Sequence, residues 1–476
     1  MSEITLPEVV QYAAEKHGIP GMAVAVWHEG AECFAAHGVT NLDDPKPVDE
    51  NTLYAVGSTS KPFAATALMH LVARGDVELD APVRRYIPEL TLPNEEWTAQ
   101  ITVKNLLNHT AGLDWRLITD TGDGDDALAE FIVRLSGLEQ IGAPGGRASY
   151  SQVGFSIVAR IVEKVTGLTF ERAVETLVLE PLGLSNTFYA LDDVMNRTAA
   201  FGHNADENGD LVVAREWKDN RANNGGAGVA SSVAELLRFA RFHIGDSANA
   251  LTGSDNADGT DGTDVLPDTY RELMQVPTVE IPSSTLGDAF GLCWFIKDVG
   301  GVRTIGHGGS GNGQFVEFIL VPERNFAIVA AANAGPNGIP ANQEVVRWAL
   351  EHYLGVVEEA PEAEPYDAAR AQEIVGEYEN DAMTFTITSG GTSLTLEVLI
   401  RPEIRAASEV ELPADYPPFP FGLLPGDADE YIVTDGALKG QRGFFTRAED
   451  GTVTGVDMAG RLFSRVRRGH APIMSE

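Results

Sequence analysis

A stretch rich in proline and glutamate, residues 356–370, divides the chain into two segments of different character. Such a composition is typical of a linker between domains. Beyond it, residues 371–476 alternate polar and apolar side chains in short runs separated by glycine turns, which predicts a small all-β sandwich or barrel. Residues 1–355 mix helical and strand patterns and are long enough to form a domain of their own.

Hydrophobic periodicity predicts the order of elements in the N-terminal segment. A β-hairpin turns at Glu29-Gly30 and follows a short amphipathic helix. The other main elements are an apolar helix and an amphipathic helix, each closed by a glycine, and a second hairpin that bends at "PERN". We therefore expect an α/β fold, an antiparallel sheet flanked by helices with a helical subdomain. The predicted helices cover residues 7–17, 60–74 and 151–167, and the second hairpin covers 315–335.

The net charge of −36 is extreme and argues against nucleic acid and anionic membrane surfaces as partners. Eight lysines stand against twenty-six arginines. An acidic, lysine-poor chain resembles proteins from the salt-loaded cytoplasm of halophiles, and the alternative is an ordinary acidic protein from a GC-rich genome. Two segments rich in Gly, Asp, Ser and Asn, residues 119–127 and 245–264, are predicted to be solvated loops.

The N-terminus and the cysteines indicate where the protein works. The first eighteen residues lack a basic region followed by an apolar run, and no stretch approaches the roughly 18 apolar residues of a membrane span. We therefore expect a cytoplasmic protein. Cys33 and Cys293 lie far apart and suggest buried thiols rather than a disulfide framework or a metal site.

The stretch "AVGSTSKPF" places Ser58 and Lys61 three residues apart where a helix is predicted to begin, at about Ser58. Side chains at this spacing share one helix face, so Lys61 can reach the hydroxyl of Ser58. A buried lysine can take or relay a proton, and the positive end of the helix dipole favours charge developing on a nucleophile. A helix cap and a solvated lysine are the alternative interpretation, and this spacing is common by chance.

Two further motifs carry groups that take part in proton transfer or substrate binding. Tyr150 follows a Pro-Gly-Gly bend at the edge of a helix, where a phenol beside a lysine can have a lowered pKa and act as a base. His307 opens "HGGSGNGQ", whose glycines let a substrate approach the strand edge closely. Taken alone, Tyr150 is equally a packing residue and His307 a structural histidine.

Together and in this order, the three motifs resemble those of the serine β-lactamase and penicillin-binding-protein superfamily. The resemblance is closest to its class C-like branch, which contains carboxylesterases, D-aminopeptidases and DD-peptidases. It covers about residues 7–355 and includes "LYAVGSTSKPF", "ITVKNLLNHTAGL", "YSQVGFSIVARIVEKVTG", "NNGGAGVASSVAELLRFARF" and "IGHGGSGNGQ". The tail, with "GEYEN" and "GRLFSR", resembles the lipocalin-like C-terminal domain of some members.

The resemblance implies a role for each matching residue. Ser58 would be the nucleophile, activated by Lys61, and Tyr150 would act as base and then as acid toward the leaving group. The segment His307, Gly308, Gly309 would occupy the position of the Lys-Thr-Gly strand. The backbone N–H groups of Ser58 and Ser310 would form the oxyanion hole.

Two positions depart from the family pattern. The second motif reads Tyr-Ser-Gln where the family usually has Tyr-x-Asn, so Gln152 keeps the amide with one more methylene. It either still bonds Lys61 and the acyl side chain or shifts the pocket. His307 replaces a lysine and is neutral for much of the time near pH 7, so it attracts the carboxylate of a β-lactam or a D-Ala terminus less strongly.

We therefore expect a serine hydrolase that cleaves a small ester or amide through an acyl-enzyme on Ser58, with carboxylesterase activity ahead of the alternatives. Those are a peptidase or aminopeptidase specific for D-amino acids, then a β-lactamase, then a non-catalytic binding protein. No metal or cofactor is expected. The expected partner is a small ester, amide or short peptide, with no nucleic acid and no membrane, and the sequence leaves a homo-oligomer open.

Overall fold

The computed structural model describes residues 4–113, 120–206, 208–217, 220–246, 265–407, 417–426, 429–436 and 438–466. Its helices are α1 (Leu6–His17), α2 (Lys61–Ala73), α3 (Glu95–Gln100), α4 (Val103–Leu107), α5 (Ala127–Arg134), α6 (Gln152–Thr166), α7 (Phe170–Val174), α8 (Leu191–Met195), α9 (Asn224–Ala227), α10 (Val233–Ile244), α11 (Asp268–Met274), α12 (Gly338–Leu354), α13 (Ala368–Ile374) and α14 (Pro402–Ala407).

The strands fall into a large sheet, two small sheets and a barrel. Those of the first 355 residues are β1 (Gly21–His28), β2 (Ala31–Gly38), β3 (Tyr54–Ala55), β4 (Thr187–Phe188), β5 (His203–Ala205), β6 (Leu211–Val213), β7 (Ala230–Ser231), β8 (Val279–Ser284), β9 (Gly287–Phe290), β10 (Phe295–Val299), β11 (Val302–Ser310), β12 (Phe315–Val321) and β13 (Phe326–Ala332). Those of the barrel are β14 (Gly376–Glu379), β15 (Met383–Ser389), β16 (Leu394–Ile400), β17 (Phe419–Leu423), β18 (Glu430–Val433), β19 (Arg442–Arg447), β20 (Val453–Met458) and β21 (Arg461–Arg465).

The large sheet is antiparallel and has the order β2-β1-β13-β12-β11-β10-β9-β8. Strand β1 is buried on both faces. Met22, Val24 and Val26 pack in a core with α1 and α12. The alternate residues face the opposite core, which contains α2, α6 and α10. Helices therefore cover both faces, as the sequence predicts.

The local predictions are confirmed with small differences in their bounds. The first hairpin turns at Glu29 and Gly30, both with positive φ, which matches the right-handed twist of the strands. Cys293 is buried, but Cys33 is exposed, so the prediction of a buried thiol is wrong there. Cys33 lies on β2, an edge strand of which only Ala35 is buried.

The C-terminal region is a closed eight-stranded barrel, β14 to β21, in which the last strand pairs with the first. Closure leaves no free sheet edge. The interior is filled by aromatic side chains, including those of Tyr378, Phe385 and Phe445. Helix α13 begins inside the stretch predicted as a linker, and the exact domain boundaries stay a prediction.

The two predicted loops differ in how much of them the structure covers. Residues 120–127 belong to the described part of the chain, where α5 begins at Ala127. Most of the second loop, residues 247–264, lies outside the described residues. The prediction of salt adaptation stays a prediction.

Candidate active site

Ser58 lies in a short 3₁₀ turn, Gly57–Ser60, immediately before α2. The α-helix itself begins at Lys61, one residue after the start of the predicted range 60–74, with Pro62 in its first turn. Ser58 is partly exposed, whereas the other three residues of the turn are buried. The turn therefore presents one hydroxyl to solvent from an otherwise buried segment.

Lys61 is fully buried and donates hydrogen bonds to three uncharged oxygens. Its Nζ lies 3.2 Å from Oγ of Ser58 and 3.0 Å from the carbonyl oxygen of Gly226, and it also contacts Oε1 of Gln152. The predicted contact between Ser58 and Lys61 is therefore present, and the charge of Lys61 is held beside the hydroxyl.

The amide of Gln152 joins Lys61 to the helical subdomain. Its Oε1 accepts from Lys61, and its Nε2 donates to Oδ1 of Asn223 at 2.7 Å. The longer side chain fits because residue 226 is glycine: a Cβ there would lie 2.2 Å from Nε2 of Gln152. The extra methylene of Gln152 is thus accommodated by the missing side chain of Gly226, and the bond to Lys61 is kept.

We predict that Gly226→Ala lowers kcat/KM by about a hundredfold, the cost of misplacing a catalytic group by about 1 Å. The new methyl group displaces the amide of Gln152 and with it the ammonium of Lys61. Adding Gln152→Asn shortens the side chain by about 1.5 Å and should restore most of the activity. Steady-state kinetics of the two single variants and the double variant measure the coupling. Additive losses would contradict this packing argument.

The end of β11 lies directly against the turn that carries Ser58. A Cβ on Gly57 would lie 2.3 Å from the carbonyl oxygen of Ser310, and one on Gly309 would lie 1.9 Å from that of Val56. Thr59 adds a hydrogen bond from its hydroxyl to the carbonyl oxygen of His307 at 3.3 Å. Glycine at both positions therefore brings the backbone of Ser310 next to Ser58, as an oxyanion hole built from the two N–H groups requires.

Tyr150 precedes α6 and is 3% exposed. The centroid of its ring lies 4.8 Å from Nζ of Lys61 and 5.2 Å from the guanidinium carbon of Arg461. Its hydroxyl makes no hydrogen bond of standard geometry within the described residues. Burial raises the pKa of Tyr150 well above its usual value, and the Ser58 hydroxyl and the charge of Arg461 only partly oppose this. The prediction of a lowered pKa is therefore wrong in its net direction.

His307 is buried and stacks on Phe295, with ring centroids 4.2 Å apart. Its Nδ1 lies 2.7 Å from the carbonyl oxygen of Gly308. A carbonyl oxygen only accepts, so Nδ1 carries the proton and Nε2 presents a lone pair. Burial, with the nearby charge of Lys61, lowers the pKa of His307 to about 3. The ring is therefore uncharged at neutral pH. An exposed histidine would be charged for part of the time at that pH, which is all that the sequence predicts.

Three residues of the site were missed as functional candidates: Asn223, Gly226 and Arg461. The first two belong to "NNGGAG" and the third to "GRLFSR", phrases that were noted only as parts of the resemblance. The paired glycines in this stretch, which the structure places inside α9, are a sequence signal of close packing. Arg461 gave no signal, because its position beside Tyr150 depends on how the barrel docks.

Two searches of the described residues bear on cofactors and membranes. No group of three histidine, cysteine, aspartate or glutamate side chains is placed to hold a metal ion in that part of the chain. None of the helices described has the length and apolar character needed to cross a bilayer. Independence from metals and a cytoplasmic location both stay predictions.

Comparison with known proteins agrees with this site. The family model "Beta-lactamase" matches residues 6–350. Penicillin-binding protein 4 of Amycolatopsis lactamdurans is 30% identical over 323 residues, which cover 67% of this chain and 82% of the relative. Esterase EstB of Burkholderia gladioli is 32% identical over 188 residues, 37% of this chain and 48% of that protein. The crystal structure of SurE is similar with a TM-score of 0.74 at 22% identity, covering 97% of this chain and 98% of SurE.

The extent of these matches decides what each one shows. The family model spans the large sheet and its helices, with all three motifs. The similarity to SurE extends over the barrel too and, at its low identity, shows the shared fold. The chain therefore belongs to the β-lactamase family and is a serine hydrolase of the acyl-transfer type.

Proposed function

We propose that this protein is a carboxylesterase that cleaves small, uncharged esters through an acyl-enzyme on Ser58. The observation that carries the proposal is the uncharged, buried His307 at the position where the family resemblance places a lysine. Without that cation, the end of β11 has lost the side-chain charge that would attract a substrate carboxylate. A neutral ester loses nothing by this change.

The geometry supports a definite sequence of steps. Oγ of Ser58 attacks the ester carbonyl carbon while its proton passes to the group formed by Lys61 and Tyr150. The carbonyl oxygen becomes an oxyanion between the N–H groups of Ser58 and Ser310, and each such donor contributes about 3 kcal/mol. Tyr150 returns the proton to the departing alcohol, and water then releases the acid from Ser58.

The remaining predicted residues are proposed to shape the acyl side of the site. Gln152 would fix Lys61 and contact the acyl group. Gly308 and Gly309 are partly exposed and would let the substrate lie against the edge of β11. The likeness to EstB is consistent with an esterase but covers under half of that protein.

One observation favours a second candidate, a peptidase for D-amino-acid substrates. The lone pair on Nε2 of His307 is buried and has no hydrogen-bond partner among the described residues. A buried acceptor is costly to leave unpaired, so a substrate that donates an N–H group there would gain affinity. An α-amino group or an amide N–H is such a donor, whereas a simple ester offers none.

We predict that kcat/KM for p-nitrophenyl butyrate exceeds that for nitrocefin, which carries a carboxylate. The assay compares the two substrates and a D-alanine anilide on one preparation of the full chain, at low and at molar salt. A preference for nitrocefin would contradict the esterase proposal. A preference for the anilide would replace it with the peptidase.

A further inference from the structure

The hairpin of β20 and β21 extends from the barrel to the residue proposed as the base. The backbone N–H of Tyr150 donates to the carbonyl oxygen of Gly460 at 2.7 Å. The backbone N–H of Leu462 donates to Oγ of Ser149 at 3.2 Å. The segment that carries Tyr150 is thus hydrogen-bonded to the barrel immediately before α6 begins.

The hairpin turn fits closely against the catalytic domain. Ala459 and Gly460 both have positive φ, as a two-residue turn between antiparallel strands requires. A Cβ on Gly460 would lie 2.3 Å from Cδ1 of Leu286, between β8 and β9. Away from the turn, the Thr285 hydroxyl contacts the backbone of Arg442, accepting from its N–H at 2.8 Å and donating to its oxygen at 3.0 Å. The docking therefore has several contacts and a defined geometry.

Arg461 follows this turn and projects toward Tyr150. Its guanidinium carbon lies 5.2 Å from the centroid of the Tyr150 ring. One of its terminal nitrogens donates to the carbonyl oxygen of Ala459 at 3.1 Å, which holds the group in place. Lys61 lies 4.8 Å from the same ring centroid. Two cationic side chains, one from each domain, therefore flank one phenol.

Among the other titratable groups around Tyr150, two histidines and a thiol carry no charge at neutral pH. Burial lowers the pKa of His109 well below its usual value and that of His307 to about 3, and it raises the pKa of the Cys293 thiol. Asp457, which interacts electrostatically with Arg461, is buried and has its pKa raised to about 7, so it is partly ionised at neutral pH. The groups facing Tyr150 directly or through Arg461 are Lys61, His109, Cys293, His307, Arg461 and Asp457.

We propose that Arg461 is a positioning residue that stabilises the phenolate of Tyr150, so that the barrel completes the active site. This inference rests on the proposed role of Tyr150 as the base. The strand β11 offers an uncharged histidine where the family resemblance places a lysine, and Arg461 restores a second cation from another domain. The charge of Arg461 lowers the pKa of Tyr150, and an opposite charge within about 4–6 Å of an acid lowers its pKa by about one to three units.

The test is the pH dependence of kcat/KM for p-nitrophenyl butyrate, an ester without charge, measured on the full chain. Because burial already holds the pKa of Tyr150 well above its usual value, kcat/KM in the accessible pH range rises in proportion to the small phenolate fraction. Removing the cation in Arg461→Met raises that pKa further, so the whole rising limb should shift to higher pH and lie about tenfold or more lower at each pH. Arg461→Lys retains the charge and should recover most of this shift. Because the substrate is uncharged, loss of a contact between Arg461 and a substrate carboxylate does not account for the result.

Arg465→Met is the matched control. Arg465 lies on the same strand and donates to the carbonyl oxygens of Glu373 and Val375, both at 2.8 Å, at the end of α13. Its loss weakens the barrel without removing a charge from Tyr150, so the pH profile should stay in place. An unmoved profile in Arg461→Met, or an equal shift in Arg465→Met, would overturn the proposal.

A spectroscopic titration separates this inference from the proposed function. The tyrosinate absorbance of the wild type minus that of Tyr150→Phe reports the ionisation of Tyr150 without any turnover. The same difference between Arg461→Gln and the double variant Arg461→Gln/Tyr150→Phe should show less tyrosinate at the same alkaline pH. If the wild type cleaves no ester, the proposed function fails, whereas an unchanged tyrosinate signal overturns the role of Arg461.

Discussion

Ser58→Ala should abolish covalent labelling by a fluorophosphonate and reduce ester hydrolysis by about five to six orders of magnitude, as removal of the nucleophile does in other serine hydrolases. Ser58 presents the one partly exposed hydroxyl of the 57–60 turn, and Lys61 lies 3.2 Å from it. Intact-protein mass spectrometry of the labelled chain measures the first effect, and hydrolysis of p-nitrophenyl butyrate measures the second.

Ser60→Ala is the matched control for this experiment. Ser60 is buried in the same turn, and its Oγ accepts a hydrogen bond from the backbone N–H of Val229 at 2.9 Å. Its removal leaves that N–H unpaired, so the free energy of unfolding should fall by about 1–3 kcal/mol while labelling persists. Full labelling of Ser58→Ala would show that another residue is the nucleophile. A wild-type protein that binds the ester but does not hydrolyse it would favour a non-catalytic binding protein.

The parts of the fold that depend on short stretches of sequence were predictable. The spacing of Ser58 and Lys61 places both side chains on one face of a helical turn, whatever the rest of the chain does. The first hairpin follows from its alternating strands and a turn whose two residues take positive φ. Alternation in the tail likewise predicts a closed or nearly closed β structure, although it does not distinguish a sandwich from a barrel.

The contacts that tune the site come from distant parts of the chain. Gly226 makes room for Gln152 only because α9 packs beside α6. The distance between these two helices cannot be predicted from any short stretch of sequence. Arg461 reaches Tyr150 only through the docking of the barrel on the catalytic domain. The roles of Tyr150 and His307 needed the family resemblance, because each residue taken alone has an ordinary structural explanation.

The pKa of Tyr150 shows why a pKa cannot be predicted from nearby charged residues alone. A lysine nearby lowers the pKa of a phenol, and the sequence places one within reach. Burial acts in the opposite direction and is the larger effect here. The resting phenol therefore holds its proton, as the acid toward the leaving group must do in the mechanism we propose. To act as a base, Tyr150 depends on the cations beside it, Lys61 and Arg461.

Tyr150→Phe should lower kcat by about two to four orders of magnitude, the range for a positioned acid or base, without unfolding the protein. The ring packs against Phe295, His307 and His109, and phenylalanine keeps all of these contacts. The hydroxyl has no hydrogen bond of standard geometry among the described residues, so its removal should leave the melting temperature unchanged or raise it. We therefore expect a large loss of kcat without a loss of stability.

Tyr54→Phe provides the comparison for this variant. Tyr54 is also fully buried, and its hydroxyl likewise has no hydrogen-bond partner within the described part of the chain. Its removal should have a similarly small effect on the melting temperature, with kcat unchanged because Tyr54 plays no part in proton transfer. Near-normal turnover in Tyr150→Phe would transfer the base role to Lys61, since that amine is hydrogen-bonded to Oγ of Ser58. A similar loss of turnover in both variants would instead show that removing a buried hydroxyl disturbs the site without any role in proton transfer.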